Sequence, residues 1–330
     1  MSRASRPQGR PRDGVQARRS SRYDQASARE VEAVPWASLV ADSDFESLWA
    51  GESFLLETHI MFAGILARGL SIGVGIGVSL APIRSAYETA LLARSLAAMA
   101  PKRLQIAIGS GDPELVRSLL GREWEHPVKV VEEQMAAARE LLRHGRVSTS
   151  GQVSTSGQYV GMEAIMQPDD MDIEIGGGVL RLAMARAVSR SGDFGISWLI
   201  PPAYLRGSLK PALGSRRQVA IVPVAVARVG RNARLLARAA TERHVRAPHY
   251  RNALSLAGVQ LGVGTPFDDA DSLIGAGVFV FADPAGIAER VQMMLSDGVD
   301  EVVISTAGVA EAIGVREALR DAEEIAAAVR

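Results

Sequence analysis

The sequence predicts an α/β fold, a (β/α)8 TIM barrel with an irregular N-terminal segment. Three observations lead there: short apolar runs alternate with helix-patterned stretches along most of the chain, seven of these runs read as strands, and no GxGxxG follows a first strand. Strand-helix alternation forces parallel pairing through right-handed crossovers. Eight such units at about this length fit a barrel, with the doubly wound open sheet as the alternative. The active face of a barrel lies where its strands end, here near residues 51–54, 77–84, 109–112, 176–179, 198–203 and 305–308.

The elements follow in order. "FESLWA" (45–50) reads as a strand, followed by a helical stretch around Leu55 to Arg68 and the strand "SIGVGIGVSL" (71–80). "IRSAYETALLARSLAAM" (83–99) is rich in alanine and leucine and reads as a helix. Then come strand "RLQIAIG" (103–109), the capped helix "DPELVRSLLG" (112–121) and a strong helix over 130–145. Strands 171–177, 195–200 and 218–229 are separated by helices, and two helices, 232–243 and 248–257, follow the last of them. Helix 286–298 leads into strand "DEVVIST" (300–306), and one helix over 309–329 closes the chain. "AGVFVFADP" (276–284) is either an eighth strand or a capping loop.

Composition bounds the function. The chain has 330 residues, 47% of them apolar, and equal numbers of basic and acidic residues at 37 each, so no global field draws it to nucleic acid or an anionic membrane. Seven arginines fall within residues 1–22 against the single acid Asp13, and residues 1–35 read as a basic, disordered tail before a barrel domain over 36–330. No apolar run follows Arg18 and Arg19, which argues against an export signal. With no cysteine, disulfides and thiolate sites are excluded and the expected address is cytoplasmic. The apolar stretch Leu70 to Ile83 is too short to span a membrane. The tandem copy "VSTSGQVSTSGQ" (147–158) reads as a duplicated surface loop without chemistry.

Several residues stand out. Gly73, Gly75 and Gly77 share one strand face while Ile72, Val74, Ile76 and Val78 share the other, so one face is bare. Either a bulky neighbour fills the space or a backbone approaches closely. "GGGV", with Gly176, Gly177 and Gly178, ends a strand and opens a helix, which is either a tight turn or an anion site. Asp112 before Pro113 and Glu114 reads as an N-cap. Arg84, after the third strand, is either a phosphate or substrate anchor or a solvated helix-start residue. No His, Asp and Glu grouping has metal-ligand spacing, so no metal is expected, and no GxSxG supports a hydrolase triad.

On these segments the chain resembles the luciferase-like monooxygenase superfamily, and within it the branch using the deazaflavin coenzyme F420. The likeness covers about residues 36–308 and rests on the order of "FESLWAGES", "GIGVSLAPIR", Arg103 with "LQIAIGSGD", "IEIGGGVLRLA", "HYRNALSLAG" and "DGVDEVVIS". It implies a parallel eight-stranded barrel, a homodimer, a small-molecule substrate, and coenzyme F420 or alternatively FMN at the strand ends. By the same resemblance Gly77 and Val78 form a bulge with a non-proline cis peptide backing the ring. Gly109, Ser110, Gly111 and Gly176 to Gly178 receive the cofactor. Asp112 matches a family acid and Glu52 leaves the second strand at the active face, so both are catalytic candidates. Ser53 replaces a family histidine there and is a substrate candidate. Independently of the resemblance, His249 and Tyr250 on a helix flanking the mouth are read as substrate contacts or surface, and Trp198 on the sixth strand as packing or a substrate contact. The implied function is hydride transfer between F420 and a small organic molecule, with an FMN monooxygenase and a non-catalytic binding protein as alternatives. Residues 13–44 show only a feeble first strand at Gly14 to Ala17.

Overall fold

Each strand of the main sheet is a run of small, β-branched and apolar residues, the pattern of a sheet covered on both faces. The computed structural model describes residues 33–52, 56–148, 159–167, 171–262 and 266–329. Its strands are β1 (Ser47–Ala50), β2 (Gly73–Leu80), β3 (Leu104–Gly109), β4 (Arg146–Ser148), β5 (Glu163–Ile165), β6 (Ile173–Gly178), β7 (Phe194–Trp198), β8 (Arg217–Val226), β9 (Val280–Ala282) and β10 (Glu301–Ser305). The helices are α1 (Val34–Ala41), α2 (Thr58–Leu66), α3 (Ala86–Ala97), α4 (Pro113–Leu120), α5 (Pro127–His144), α6 (Leu182–Ser191), α7 (Pro202–Tyr204), α8 (Lys210–Leu213), α9 (Ala233–Val245), α10 (Pro248–Leu256), α11 (Pro266–Gly275), α12 (Pro284–Ser296), α13 (Ala307–Ala312) and α14 (Val315–Val329). A π-helical turn, Leu205–Leu209, joins α7 to α8.

The main sheet runs β1-β2-β3-β6-β7-β8-β10, and every pairing in it is parallel. This is the predicted sequence of strand and helix. The run 276–284 does contain a strand, since β9 pairs in parallel with the far end of β8. Among the described residues no ladder joins β1 to β10, and the feeble first strand at Gly14 to Ala17, the basic tail up to residue 32 and positions 149–158 of the tandem copy lie outside them. The copy's first residues belong to β4, which forms an antiparallel pair with β5. The expected single closing helix is instead two, because the chain turns between α13 and α14 at Gly314 with φ 137°.

Register places side chains on two faces. Val74, Ile76, Leu104, Ile106, Ile108 and Ile175 point outward into the core shared with the helices, where Met135, Leu141, Val188 and Leu213 meet them. The inner face is asymmetric. Along β2, β3 and β6 it carries Gly75, Gly77, Ala107, Gly109, Gly176 and Gly178, while β1, β7, β8 and β10 supply Trp49, Phe194, Ile196, Val219, Ile221 and Val303. The bare face of β2 is therefore filled by a neighbour: a Cβ on Gly75 would lie 2.0 Å from the Trp49 ring. Trp49 packs edge-on against Phe194 with ring centroids 6.0 Å apart.

Below this apolar layer, at the N-terminal ends of the strands, the interior is polar. Trp49 Nε1 donates to Glu301 at 2.8 Å, Gln105 Nε2 donates to the same carboxylate at 3.0 Å, and Arg217 bridges Glu301 to Glu174. The barrel is plugged at its floor, which leaves its chemistry to the opposite end.

Candidate active site

At the mouth β2 gains a residue. Gly77 pairs with Ala107 and Ser79 with Ile108, so Val78 is an extra residue, and the Gly77–Val78 peptide is cis, as the resemblance implies. The bulge also corrects the expected facing of Val78. It packs with the interior residues rather than with Val74 and Ile76, because the inserted residue resets the alternation. Its side chain is half-buried and occupies the space that side chains on its neighbours would need. A Cβ on Gly109 would come within 2.5 Å of Val78 and one on Gly178 within 3.0 Å. Those two glycines seat Val78 flush between the ends of β3 and β6.

Gly176 and Gly177 have other reasons to be bare. A Cβ on the first would meet the Phe194 carbonyl oxygen at 2.4 Å, and one on the second would meet Val188 at 2.7 Å. The "GGGV" segment is strand to its third glycine, and α6 begins only at Leu182, which corrects the expectation that these glycines open the helix. Ser110 and Gly111 follow β3 in a half-buried turn where Gly111 adopts φ 73° and Ser110 Oγ donates to its carbonyl oxygen at 3.3 Å.

Glu52 and Arg84 belong together. Arg84 is neither solvated nor free to anchor a phosphate, which corrects both expectations for it: only 8% exposed, it donates Nη1 to Glu52 and Nη2 to Glu57. Ser79 Oγ also donates to Glu52, at 3.3 Å, and the Glu52 backbone N–H donates to the Val78 carbonyl at 3.3 Å. Burial pushes the Glu52 carboxyl up despite Arg84. Glu57 caps α2, and although burial pushes its carboxyl up, the His59 ring, the Ile60 N–H and Arg84 outweigh this and hold it down at about 2. His59 lies 3.0 Å from Glu57 through Nδ1 and is buried. Glu52, Glu57 and His59 bring ligand atoms within 4.8 Å of one another, a grouping that sequence spacing did not reveal. Its cationic partner is the Arg84 guanidinium. Ser53, the next residue, lies outside the described residues.

Elsewhere at the strand ends the structure brings four expected residues into one chain of contacts. Asp112 caps α4 through Oδ1, which accepts from the Glu114 N–H at 2.9 Å, while Oδ2 stands 3.5 Å from His249 Nδ1. His249 packs on Tyr250, Tyr250 on His244, and His244 on Trp198, with ring centroids 4.7, 5.2 and 5.7 Å apart. Trp198 is buried among Leu199, Val245 and Leu254, and the chain turns at Leu199 with φ 57°, a rare conformation for a side-chain-bearing residue. Burial holds His244 down at about 3, helped by Arg243 and His249. His244 and Arg181, whose Nη1 donates to Asn252 at 3.1 Å, were not foreseen. No spacing signal marks either.

The family model described as luciferase-like monooxygenase matches residues 15–328. None of the curated protein sequences compared with the chain matches it. Among solved structures, an F420-dependent secondary alcohol dehydrogenase in complex with an F420-acetone adduct aligns at TM-score 0.69 with 14% identity, over 92% of this chain and 96% of the other. The monooxygenase RslO1 from Streptomyces bottropensis aligns at 0.67 with 16% identity, over 94% and 95%. The oxygenating constituent of 3,6-diketocamphane monooxygenase from Pseudomonas putida, in complex with FMN, aligns at 0.64 with 14% identity, over 92% and 93%. These likenesses concern the fold, and they agree with the barrel.

Proposed function

Because the chain belongs to the luciferase-like monooxygenase family, a family of oxidoreductases, we propose that it transfers a hydride between coenzyme F420 and a small organic substrate. The observation that carries this reading is the half-buried Val78 bulge. An apolar surface lies at the strand ends, kept flush by glycines on both neighbouring strands, and suits the face of a flat ring. Gly77, Val78 and Gly109 would back that ring, and Ser110, Gly111 and the Gly176 to Gly178 segment would receive its phosphate-bearing tail. The cofactor supplies the hydride chemistry when bound, and the protein orients it and keeps water away. FMN is the alternative occupant, and the FMN-bound diketocamphane monooxygenase gives that reading its support.

The rest of the reading is a homodimeric, cytoplasmic enzyme. Ile60 on α2, Ile83 in the turn before α3 and Tyr87 and Leu91 on α3 are exposed apolar residues that would suit a second copy. The absence of cysteine fits a reducing compartment, and among the described residues no helix is long and apolar enough to cross a membrane.

Fluorescence titration of the purified protein with F420 and with FMN tests the reading. Micromolar binding of F420 alone supports it, FMN alone favours the oxygenase, and binding of neither refutes both. In Gly109→Ala the new methyl displaces Val78, so cofactor affinity should fall while far-UV circular dichroism stays unchanged. Unchanged affinity would sink the assignment of the ring to the bulge.

A further inference from the structure

Helix α10 lies across the mouth and touches two loops at once. His249 reaches Asp112, three residues past the end of β3, and Asn252 accepts from Arg181, three residues past the end of β6. These are the two strands whose last glycines Val78 lies against. We propose that His249 is the proton-transfer residue of this site, that Asp112 is the residue positioning it, and that the substrate is an uncharged alcohol or carbonyl compound. The proposal rests on the redox reading above.

Asp112 is poorly placed to be the acid itself. One of its oxygens is committed to the Glu114 N–H as the cap of α4, so the side chain is held in place as an acceptor. Its other oxygen faces His249 Nδ1, a buried atom with no partner at ordinary hydrogen-bond geometry. A Nδ1–H pointed at that carboxylate leaves the Nε2 lone pair to accept a proton, and the side chain keeps 26% of its surface exposed for a ligand to reach. Burial presses the imidazole down, Asp112 offsets this in part, and Arg181 presses it down further, so the ring is neutral at pH 7. The groups facing it are Asp112 from α4, Arg181 from the loop before α6, His244 from α9 and Tyr250 from α10 itself.

The substrate's charge follows from the cations. Arg181 is engaged with Asn252, and Arg84 is held between two glutamates. Beside the ring stand Tyr250 and a neutral His244. Among the described residues such a surface suits an uncharged molecule and offers no unengaged cation to anchor a phosphate. With a deazaflavin bound, oxidation would break the substrate C–H bond with its electron pair passing as hydride to the cofactor. The O–H bond breaks with its proton passing to His249 Nε2, and C=O forms. The reverse direction returns that proton to the carbonyl oxygen.

Two measurements test this. The first is NMR titration of the His249 ring in the cofactor-free protein. Its pKa should fall in Asp112→Asn and rise in Arg181→Gln, and a pKa indifferent to Asp112→Asn overturns the positioning role. The second is turnover with F420, using 2-propanol and cyclohexanol as probes and glucose 6-phosphate as the anionic comparator. In His249→Gln, kcat should drop by roughly 10²–10⁴ with its pH profile flattened, the range for loss of a general acid–base. F420 affinity should stay the same. Unchanged kcat and pH profile in His249→Gln overturn the proton-transfer role alone, and turnover of glucose 6-phosphate in preference to the alcohols overturns the substrate class. A wild-type protein that binds neither F420 nor FMN sinks the redox reading, and this proposal with it.

Discussion

Gly75 and Trp49 form a pair whose coupling can be worked out from their geometry. A methyl on Gly75 would lie 2.0 Å from Trp49 Cδ2 and 2.3 Å from Cε2 and Cε3, and a rigid indole wedged against Phe194 cannot step aside. Gly75→Ala should therefore cost about 3 kcal/mol, the upper end of overpacking. Trp49→Ala should cost about 4 kcal/mol, from the cavity and the lost donor to Glu301. With the indole gone, the methyl at 75 meets open space, and alanine suits a strand better than glycine by roughly 0.5–1 kcal/mol. The double variant should then cost only about 3 kcal/mol, where independent sites would give about 7. Urea unfolding followed by circular dichroism measures all corners of the cycle, and Trp49→Leu replaces the alanine variant if that fails to fold. Additivity to within ~0.5 kcal/mol would refute the claim that Gly75 is bare in order to admit Trp49.

Other consequences are open to measurement. Arg84→Met leaves two carboxylates without their cation, one of them nearly buried, and should cost about 3–5 kcal/mol in a denaturant melt. Glu57 contributes stability that is fully present above about 4.5 and lost as pH falls toward about 2, so acid unfolding of His59→Leu, which removes one partner holding Glu57 down, should begin at higher pH. His244 adds to the same acid sensitivity over a higher range: its folded pKa of about 3 lies below its ordinary value, so the unfolded chain takes up the proton first as pH falls from 6.5. Stability should drop over that window by up to ~1.4 kcal/mol per pH unit, and His244→Phe should remove this slope. Fully buried Asp321 accepts from the Val226 N–H at 2.9 Å and from Arg228 and Arg231. Asp321→Ala should loosen α14 and raise its amide exchange before the barrel unfolds.

How legible each part was depended on the range of its physics. The strands could be read because buried parallel strands are continuous apolar runs, and the Asp112 cap because a cap is a signal of neighbours. The break at Gly314 was missed because α13 and α14 are both good helix formers and a lone glycine between them reads as tolerable. Helix α11 was missed because Asp268, Asp269 and Asp271 hide its apolar face. The glycines of β2 and of "GGGV" were read as two features, yet they are one. Gly75 and Gly77 on β2 and Gly176 and Gly178 on β6, with β3 between them, face one interior and are the small half of a core whose large half comes chiefly from β1 and β7. The bulge was legible only through resemblance. The Arg84 cluster joins residues 27 and 32 positions apart, and the His249–Asp112 pair joins elements still further apart, so no local pattern encodes either.

The polar floor of the barrel also acts as a check on alignment. Trp49, Gln105, Glu174, Arg217 and Glu301 come from five different strands, and each meets the others only when its strand sits in the observed register. A slip of one residue in any strand would turn that side chain out among the apolar helices and leave its partners buried and unmatched. Apolar layers tolerate such slips better, since one branched residue resembles the next. Because Glu301 lies 252 positions beyond Trp49, the check is completed only when the last strand arrives, and a misaligned barrel is penalised before its mouth can take shape.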